Sequence, residues 1–354
     1  MPPSEPIFSV KGKRVWVAGH HGMVGSAIVR RLASEDCETL TVPRREVDLA
    51  NQSQTERWLA DVRPDAIFLC AARVGGIYAN SSLPADFIAD NLAIGLNVVR
   101  AAYRVGVAKL LNLGSSCIYP RDAAQPMSES ALLTGPLEAT NQWYAVAKIA
   151  TIKLCQAYQL QHGADFISLM PTNLFGPGDN YDPNYGHAPA GLIRRFHEAK
   201  LQKLPSVTVW GSGRQRREFL AVDDLADACV HLMKCYSGRE IVNVGTGRDV
   251  SIGDFAQLIS DIVGYDGDIE FDTTRPDGPR QKLLDVRKLT ATGWSPQREL
   301  RSALKEAYED FVVRYGSARA RSLLAPKVST AGPALEDVAI GCTPGDDAIA
   351  EAPR

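Results

Sequence analysis

No stretch of this 354-residue chain has the ~18 consecutive apolar residues that a bilayer-spanning helix needs. Residues 1–14 hold no apolar segment of the kind that opens a secretory leader, so a cytoplasmic location is expected. Neither sign of charge is in surplus, because 39 Lys and Arg stand against 41 Asp and Glu. A phosphate-backbone binder needs a basic excess and an anionic membrane surface needs a basic patch, so neither nucleic acid nor membrane is expected as a partner. The seven cysteines are scattered, odd in number and lack any C-x-x-C pair. That usage excludes a disulfide framework and a zinc site, and no metal is expected. What remains is a chain of roughly two domains' length, with ample apolar residues for a core. Such a chain reads as a globular enzyme.

Short apolar runs alternate with longer helical patterns. Residues 15–18, 40–42, 66–72, 110–114, 166–171 and 241–244 read as strands, and 25–33, 87–105 and 144–162 as amphipathic helices. Strands alternating with helices of this length imply βαβ units around a parallel sheet, hence an α/β fold. The regularity fails after Pro171, and residues 176–187 are so rich in Gly, Pro, Asn and Asp that a long loop is expected. Segments 317–354 lack aromatic residues and any sustained period, and read as a disordered tail.

The string Gly19-His20-His21-Gly22-Met23-Val24-Gly25 closes the first strand and opens the first helix. Gly19 permits a tight turn, Gly22 lets backbone amides approach a pyrophosphate, and Gly25 lets the helix pack closely on the strand. This spacing resembles that of the extended short-chain dehydrogenase/reductases. His20 and His21 flank the turn as polar loop residues. After the second strand a binder of NAD places an acid against the ribose, whereas this chain has Pro43-Arg44-Arg45. Arg44 and Arg45 are either solvated surface residues or the forked donors of a 2′-phosphate site, and the second reading favours NADP.

Tyr144 and Lys148 stand four residues apart on one helical face. An ammonium beside a phenol is expected to lower the phenol's pKa and ready it for proton exchange with a carbonyl. Ser115 and Ser116 end the preceding strand, at the edge where open α/β sheets bind ligands, and a Ser115 hydroxyl there would share the substrate oxygen. Cys117 is either a small buried hydrophobe or a carbon base beside that carbonyl. His187, in the turn-rich loop, is a candidate acid partner.

Together these residues resemble the GDP-L-fucose synthases, bifunctional 3,5-epimerase/4-reductases of the extended short-chain dehydrogenase/reductases. The likeness runs from about residue 11 to 315. Its most specific strings are Ser115-Ser116-Cys117-Ile118-Tyr119-Pro120 and Arg194-Arg195-Phe196-His197-Glu198-Ala199. The resemblance implies a Rossmann-type doubly wound parallel sheet with a smaller, interleaved α/β substrate lobe. On this reading residues 11–173, 218–256 and 285–316 form the NADP-binding domain, and 174–217 with 257–284 the GDP-sugar lobe. It implies Tyr144 as proton donor to C4, Lys148 as its electrostatic partner, Ser115 as a hydrogen-bond donor, and Cys117 and His187 as the base and acid that invert C3 and C5. NADPH is implied at residues 19–25, Arg44, Arg45, Leu113, Gly114, Ser115, Ser116, Lys148, Pro171, Thr172, Asn173, Leu174 and His187. The GDP-sugar is implied at Arg195, Trp210, Arg217, Asp277 and Lys282, and a homodimer as the assembly. Read without the resemblance, Trp210 is equally a core aromatic, and Asp223 and Asp224 cap a helix. His21 departs from the family's usual Arg, and Ala221 from its usual His. An epimerase/reductase of a related GDP-4-keto sugar, an NAD-retaining nucleotide-sugar epimerase and a non-catalytic dinucleotide-binding sensor or scaffold are the competing readings.

Overall fold

The computed structural model describes residues 6–183, 185–274 and 277–316, so the segment 317–354 lies outside the described residues. β1 (Arg14–Ala18) carries Val, Trp and Val on consecutive buried positions, the mark of a strand covered on both faces. It leads into α1 (Met23–Leu32), β2 (Glu38–Leu40), α2 (Gln52–Val62) and β3 (Ala66–Leu69). α3 (Ile77–Ser82), α4 (Pro84–Arg104), β4 (Lys109–Leu113), α5 (Gln142–His162) and β5 (Asp165–Pro171) follow. The chain continues through β6 (Asn173–Phe175), α6 (Ala188–Gln202), β7 (Ser206–Trp210), β8 (Arg216–Ala221), α7 (Val222–Cys235) and β9 (Val242–Val244). It closes with β10 (Asp249–Ser251), α8 (Ile252–Val263), β11 (Asp268–Asp272), β12 (Gln281–Lys282), α9 (Arg287–Ala291) and α10 (Leu300–Tyr315).

Six strands pair in the order β2-β1-β3-β4-β5-β9, every pair parallel. The chain leaves β1 toward β2 on one side and returns to β3 on the other. The direction of winding therefore reverses between β1 and β3, and the loops at their carboxyl ends part to leave a crevice. α1 and α7 cover one face around Ile28, Leu225 and Cys229, while α2 and α4 cover the other around Leu59 and Val98. Helices on both faces make the sheet doubly wound, as expected.

The smaller lobe is built around β8, which pairs with β6 and β12 in parallel and with β10 antiparallel, while β7 and β11 form a separate parallel pair. Its own core joins Phe196 and Ile193 of α6, Phe255 and Ile259 of α8, and Leu304 and Phe311 of α10. α8 and α10 therefore pack with this lobe, although α10 lies wholly within the segment 285–316, and the first five residues of α8 within 218–256, that the sequence reading assigned to the sheet half. Their apolar faces meet α6 and β8, and periodicity along one helix carries no information about its partner. The expected strand 66–72 stops at Leu69, where the chain turns out of the sheet toward the crevice. Among the described residues no helix is long and apolar enough to cross a membrane, and no acidic, His and Cys cluster could hold a metal ion.

Candidate active site

The glycine turn has the shape a dinucleotide requires. Gly19 sits at φ +90, and a Cβ there would lie 2.7 Å from the Ala71 nitrogen. A Cβ on Gly25 would lie 2.2 Å from the Gly19 carbonyl oxygen, so only glycine lets α1 begin this close to the strand it leaves. Gly22 is the N-cap of α1, without a side-chain cap and with no acid in the first turn. The helix thus presents unpaired N–H groups and its positive dipole end to the crevice, which suits a pyrophosphate. Met23 and Val24 open the helix. The His20 and His21 rings lie 3.9 Å apart, and burial together with His21 lowers the pKa of His20. Arg44 and Arg45 follow β2 and are 73% and 85% exposed at the side chain, Arg44 pairing with Asp48 at 3.4 Å. Two exposed guanidinium forks just past β2, with no acid on the strand's last residues, fit a 2′-phosphate. The residues present therefore fit NADP.

β4 leads into the candidate catalytic residues. Its carboxyl end runs through Leu113 and Gly114 into Ser115, whose hydroxyl caps the short 3-10 turn Ser116–Ile118 by accepting from the Cys117 amide at 3.3 Å. That cap points Ser115 and Cys117 out of the sheet edge on one tight turn. α5 packs across this turn and brings Tyr144 and Lys148 to it. Lys148 is 6% exposed, and its ammonium donates to the Leu113 carbonyl at 2.8 Å. Burial pulls its pKa down to about 8. Tyr144 is half-buried, and desolvation followed by the neighbouring Cys117 pushes its phenol above the ordinary value. The expected lowering of the Tyr144 pKa is therefore overturned: the Lys148 ammonium donates a hydrogen bond to a main-chain carbonyl and lies 5.8 Å from the ring centre, and desolvation of the phenol dominates. A phenol kept protonated is the form that donates to a ketone.

His187 is the N-cap of α6 but makes no side-chain capping bond. The residues before it pack on the segment leaving β3: the Gly76 amide donates to the Tyr185 carbonyl at 3.1 Å, and a Cβ on Gly76 would lie 2.7 Å from the Gly186 carbonyl oxygen. The turn-rich loop thus reaches the carboxyl edge of the sheet, although its length alone did not show where it lands. Burial lowers the His187 pKa, which makes the protonated ring a scarcer and stronger donor. Pro171, Thr172, Asn173 and Leu174 continue from β5 toward the smaller lobe. The Thr172 hydroxyl and the Asn173 amide both donate to the Glu218 carbonyl, at 3.3 and 2.8 Å, so these side chains brace β8.

The nucleotide-sugar candidates form one connected rim. Arg195 donates to the Thr208 carbonyl on β7 at 2.9 Å, and Trp210 ends that strand. Asp277 accepts from the Ser212 amide and hydroxyl at 2.7 and 2.8 Å, and also from Gln215. Arg217 donates to the Pro279 carbonyl at 2.7 Å, and Lys282 pairs with it in register across β8 and β12. Trp210 is 66% exposed, which settles against the core reading. Asp223 and Asp224 are not caps, since Ala221 holds that position. They tie α7 to Arg30 at 2.6 Å and to Arg298 at 3.1 Å.

Two residues had no role in the sequence reading. Glu218 is fully buried, and its carboxylate accepts from the Gly247 and Leu284 amides at 2.7 and 2.9 Å, joining β8 to the turn after β9 and to the segment that follows β12. Asn141, at the start of α5, donates to the Cys117 sulfur at 3.3 Å. Its type and place signal only a helix cap, so its partner was invisible without the fold.

A family model described as the NAD dependent epimerase/dehydratase family matches residues 15–245. GDP-L-fucose synthase from Sinorhizobium fredii is 53% identical over 307 residues, 87% of this chain and 98% of its own length. GDP-L-fucose synthase from Escherichia coli is 48% identical over 312 residues, 85% of this chain and 97% of its own. Among solved structures, a GDP-L-fucose synthetase from Naegleria fowleri bound to NADP aligns at a TM-score of 0.81 and 28% identity, over 89% of this chain and 99% of that one. With the glycine turn, the serine–tyrosine–lysine constellation and these relatives in agreement, the chain belongs to the GDP-L-fucose synthase family within the NAD dependent epimerases/dehydratases.

Proposed function

We propose that this chain converts GDP-4-keto-6-deoxy-D-mannose to GDP-L-fucose with NADPH, inverting C3 and C5 before reducing C4. One observation carries the reading: the start of α5, the helix that bears Tyr144 and Lys148, is bonded through Asn141 to the Cys117 sulfur at 3.3 Å, so a thiol and the phenol share the carboxyl end of β4. A simple reductase has a use for the phenol and none for a carbon base beside it.

C3 and C5 both flank the C4 ketone, so the carbonyl acidifies each C–H. Cys117, as thiolate, takes the proton, and the bonding pair moves onto the ketone oxygen as an enediolate. His187 returns a proton from the opposite face, leaving Cys117 as thiol and His187 neutral until both exchange with water. Ser115 and Tyr144 donate to the oxygen on which charge develops. NADPH, when bound, supplies the hydride that C4 accepts. Tyr144 gives its phenolic proton to the C4 oxygen, and the Lys148 ammonium one turn along favours the phenolate left behind. Arg44 and Arg45 hold the cofactor's 2′-phosphate, Arg195 and Arg217 the diphosphate, and Trp210, Asp277 and Lys282 the remaining GDP-sugar contacts.

The reading includes a homodimer in a reducing, cytoplasmic setting. α4 and α5 lie side by side and expose Leu92, Leu96 and Tyr103 from one, and Trp143, Val146 and Leu160 from the other. That paired apolar face would be covered by the same face of a second copy. The cysteines at 37, 70, 117, 155, 229 and 235 are free thiols, which supports the reducing setting.

The test is incubation of the protein with GDP-4-keto-6-deoxy-mannose and either NADPH or NADH, with the product sugar identified by NMR. GDP-L-fucose formed with NADPH is the expected result. An uninverted 6-deoxy sugar would demote Cys117 and His187, and absent turnover despite NADPH binding would overturn the substrate. Sedimentation velocity reads the dimer, which Leu96→Glu should dissociate.

A further inference from the structure

Asn141 is the N-cap residue of α5, yet its side chain caps nothing. An asparagine at that position ordinarily accepts from an amide in the first turn of its own helix and so stabilises it. Here its Nδ2 donates to the Cys117 sulfur at 3.3 Å, while its Oδ1 is buried and has no hydrogen-bond partner. A buried acceptor without a donor is costly, and in a site that binds a polyhydroxylated substrate the missing donor has an obvious chemical source.

We propose that Asn141 is a positioning residue for epimerisation: its amide N–H holds the Cys117 sulfur, and its Oδ1 accepts a ring hydroxyl of the sugar beside the carbon that loses its proton. This assignment rests on the function proposed above. An N–H bond to sulfur strengthens when the sulfur is a thiolate, so the contact favours the form of Cys117 that acts as base. The amide is one rigid plane, so donor and acceptor edges fix the hydroxyl relative to the sulfur. Asn141 and Tyr144 stand three residues apart on α5, so a single helix sets both the base for epimerisation and the proton donor for reduction.

The test compares the full-length parent with Asn141→Ala and the isosteric Asn141→Asp. Three quantities are read: iodoacetamide alkylation at Cys117 across pH, by peptide mass spectrometry; deuterium uptake at C3 and C5 of the GDP-4-keto sugar in D2O without NADPH; and NADPH affinity. Losing a hydrogen bond to a charged group should slow Cys117 alkylation near neutrality about tenfold in Asn141→Ala. The alkylation profile should move to higher pH, and further in Asn141→Asp, whose carboxylate repels the thiolate. Deuterium uptake should fall in both while NADPH affinity holds, which separates positioning from folding. If Asn141→Ala fails to bind NADPH, Asn141→Asp carries the comparison. Unchanged alkylation profiles in the variants would overturn the proposal, as would deuterium uptake equal to the parent's. If the parent itself takes up no deuterium, the function proposed above has failed, and the alkylation profiles still decide whether Asn141 holds the sulfur.

Discussion

The Lys148 ammonium is bound to the main-chain carbonyl of Leu113 at 2.8 Å. Leu113 is the last residue of β4, and Lys148 lies on α5, so this bond ties the helix that carries Tyr144 to the strand that leads into Ser115 and Cys117. It holds the ammonium 5.8 Å from the centre of the Tyr144 ring, whose phenol burial keeps protonated.

Burial of Lys148 creates a pH signature. Its folded pKa is lowered to about 8, below the 10.5 of the free side chain. Between those values the unfolded chain binds more protons, so this group's contribution to stability rises with pH there, and its penalty is fully present below about 8. Lys148→Met should abolish turnover, and its stability relative to the parent should decline as pH climbs from 8 to 10.5. Chemical denaturation of both proteins across that range checks the sign.

Asp179 gives the opposite signature. This carboxyl lies 3% exposed in the loop that carries His187, and burial raises its pKa to about 7 from 3.8. Between those values the folded chain holds the extra proton, so stability falls as pH rises and the penalty is complete above 7. Asp179→Asn should therefore melt higher than the parent at pH 8 and nearly with it at pH 4. Thermal melts at the two pH values measure this.

Tyr144→Phe removes the proton donor to C4 and leaves Cys117 in place. Reduction should fall by about 100-fold or more, the usual weight of a positioned general acid. Deuterium exchange at C3 and C5 should persist, because Ser115 still donates to the enediolate oxygen. Cys117→Ser should show the converse, with slowed exchange and intact NADPH binding. Exchange lost in Tyr144→Phe as fully as reduction would refute this division of labour.

Arg44→Ala and Arg45→Ala should each weaken NADPH binding by about tenfold, the worth of a lost charge-assisted contact. NADH binding should hardly change, since NADH lacks the 2′-phosphate. Titration calorimetry with both cofactors gives the comparison, and equal losses for the two would place the arginines elsewhere.

The local parts of this protein are written in its sequence. A glycine that must sit at φ +90, three buried apolar residues in a row, and Tyr144 four residues before Lys148 follow from sterics, burial and helical period. These act over a few residues, so they can be read in a line. Sequence marked the strands of the parallel sheet and the dinucleotide turn, and singled out the candidate site residues, but not the strands of the smaller lobe. It could not reveal that Asn141 turns from its helix to Cys117, 24 positions away. Nor could it show that Thr172 and Asn173 brace Glu218, that α10 joins the smaller lobe, or that burial outweighs the ammonium at Tyr144. Each depends on which distant segments exclude water around a given atom. Packing and desolvation are properties of the assembled volume, and only the tertiary structure decides them.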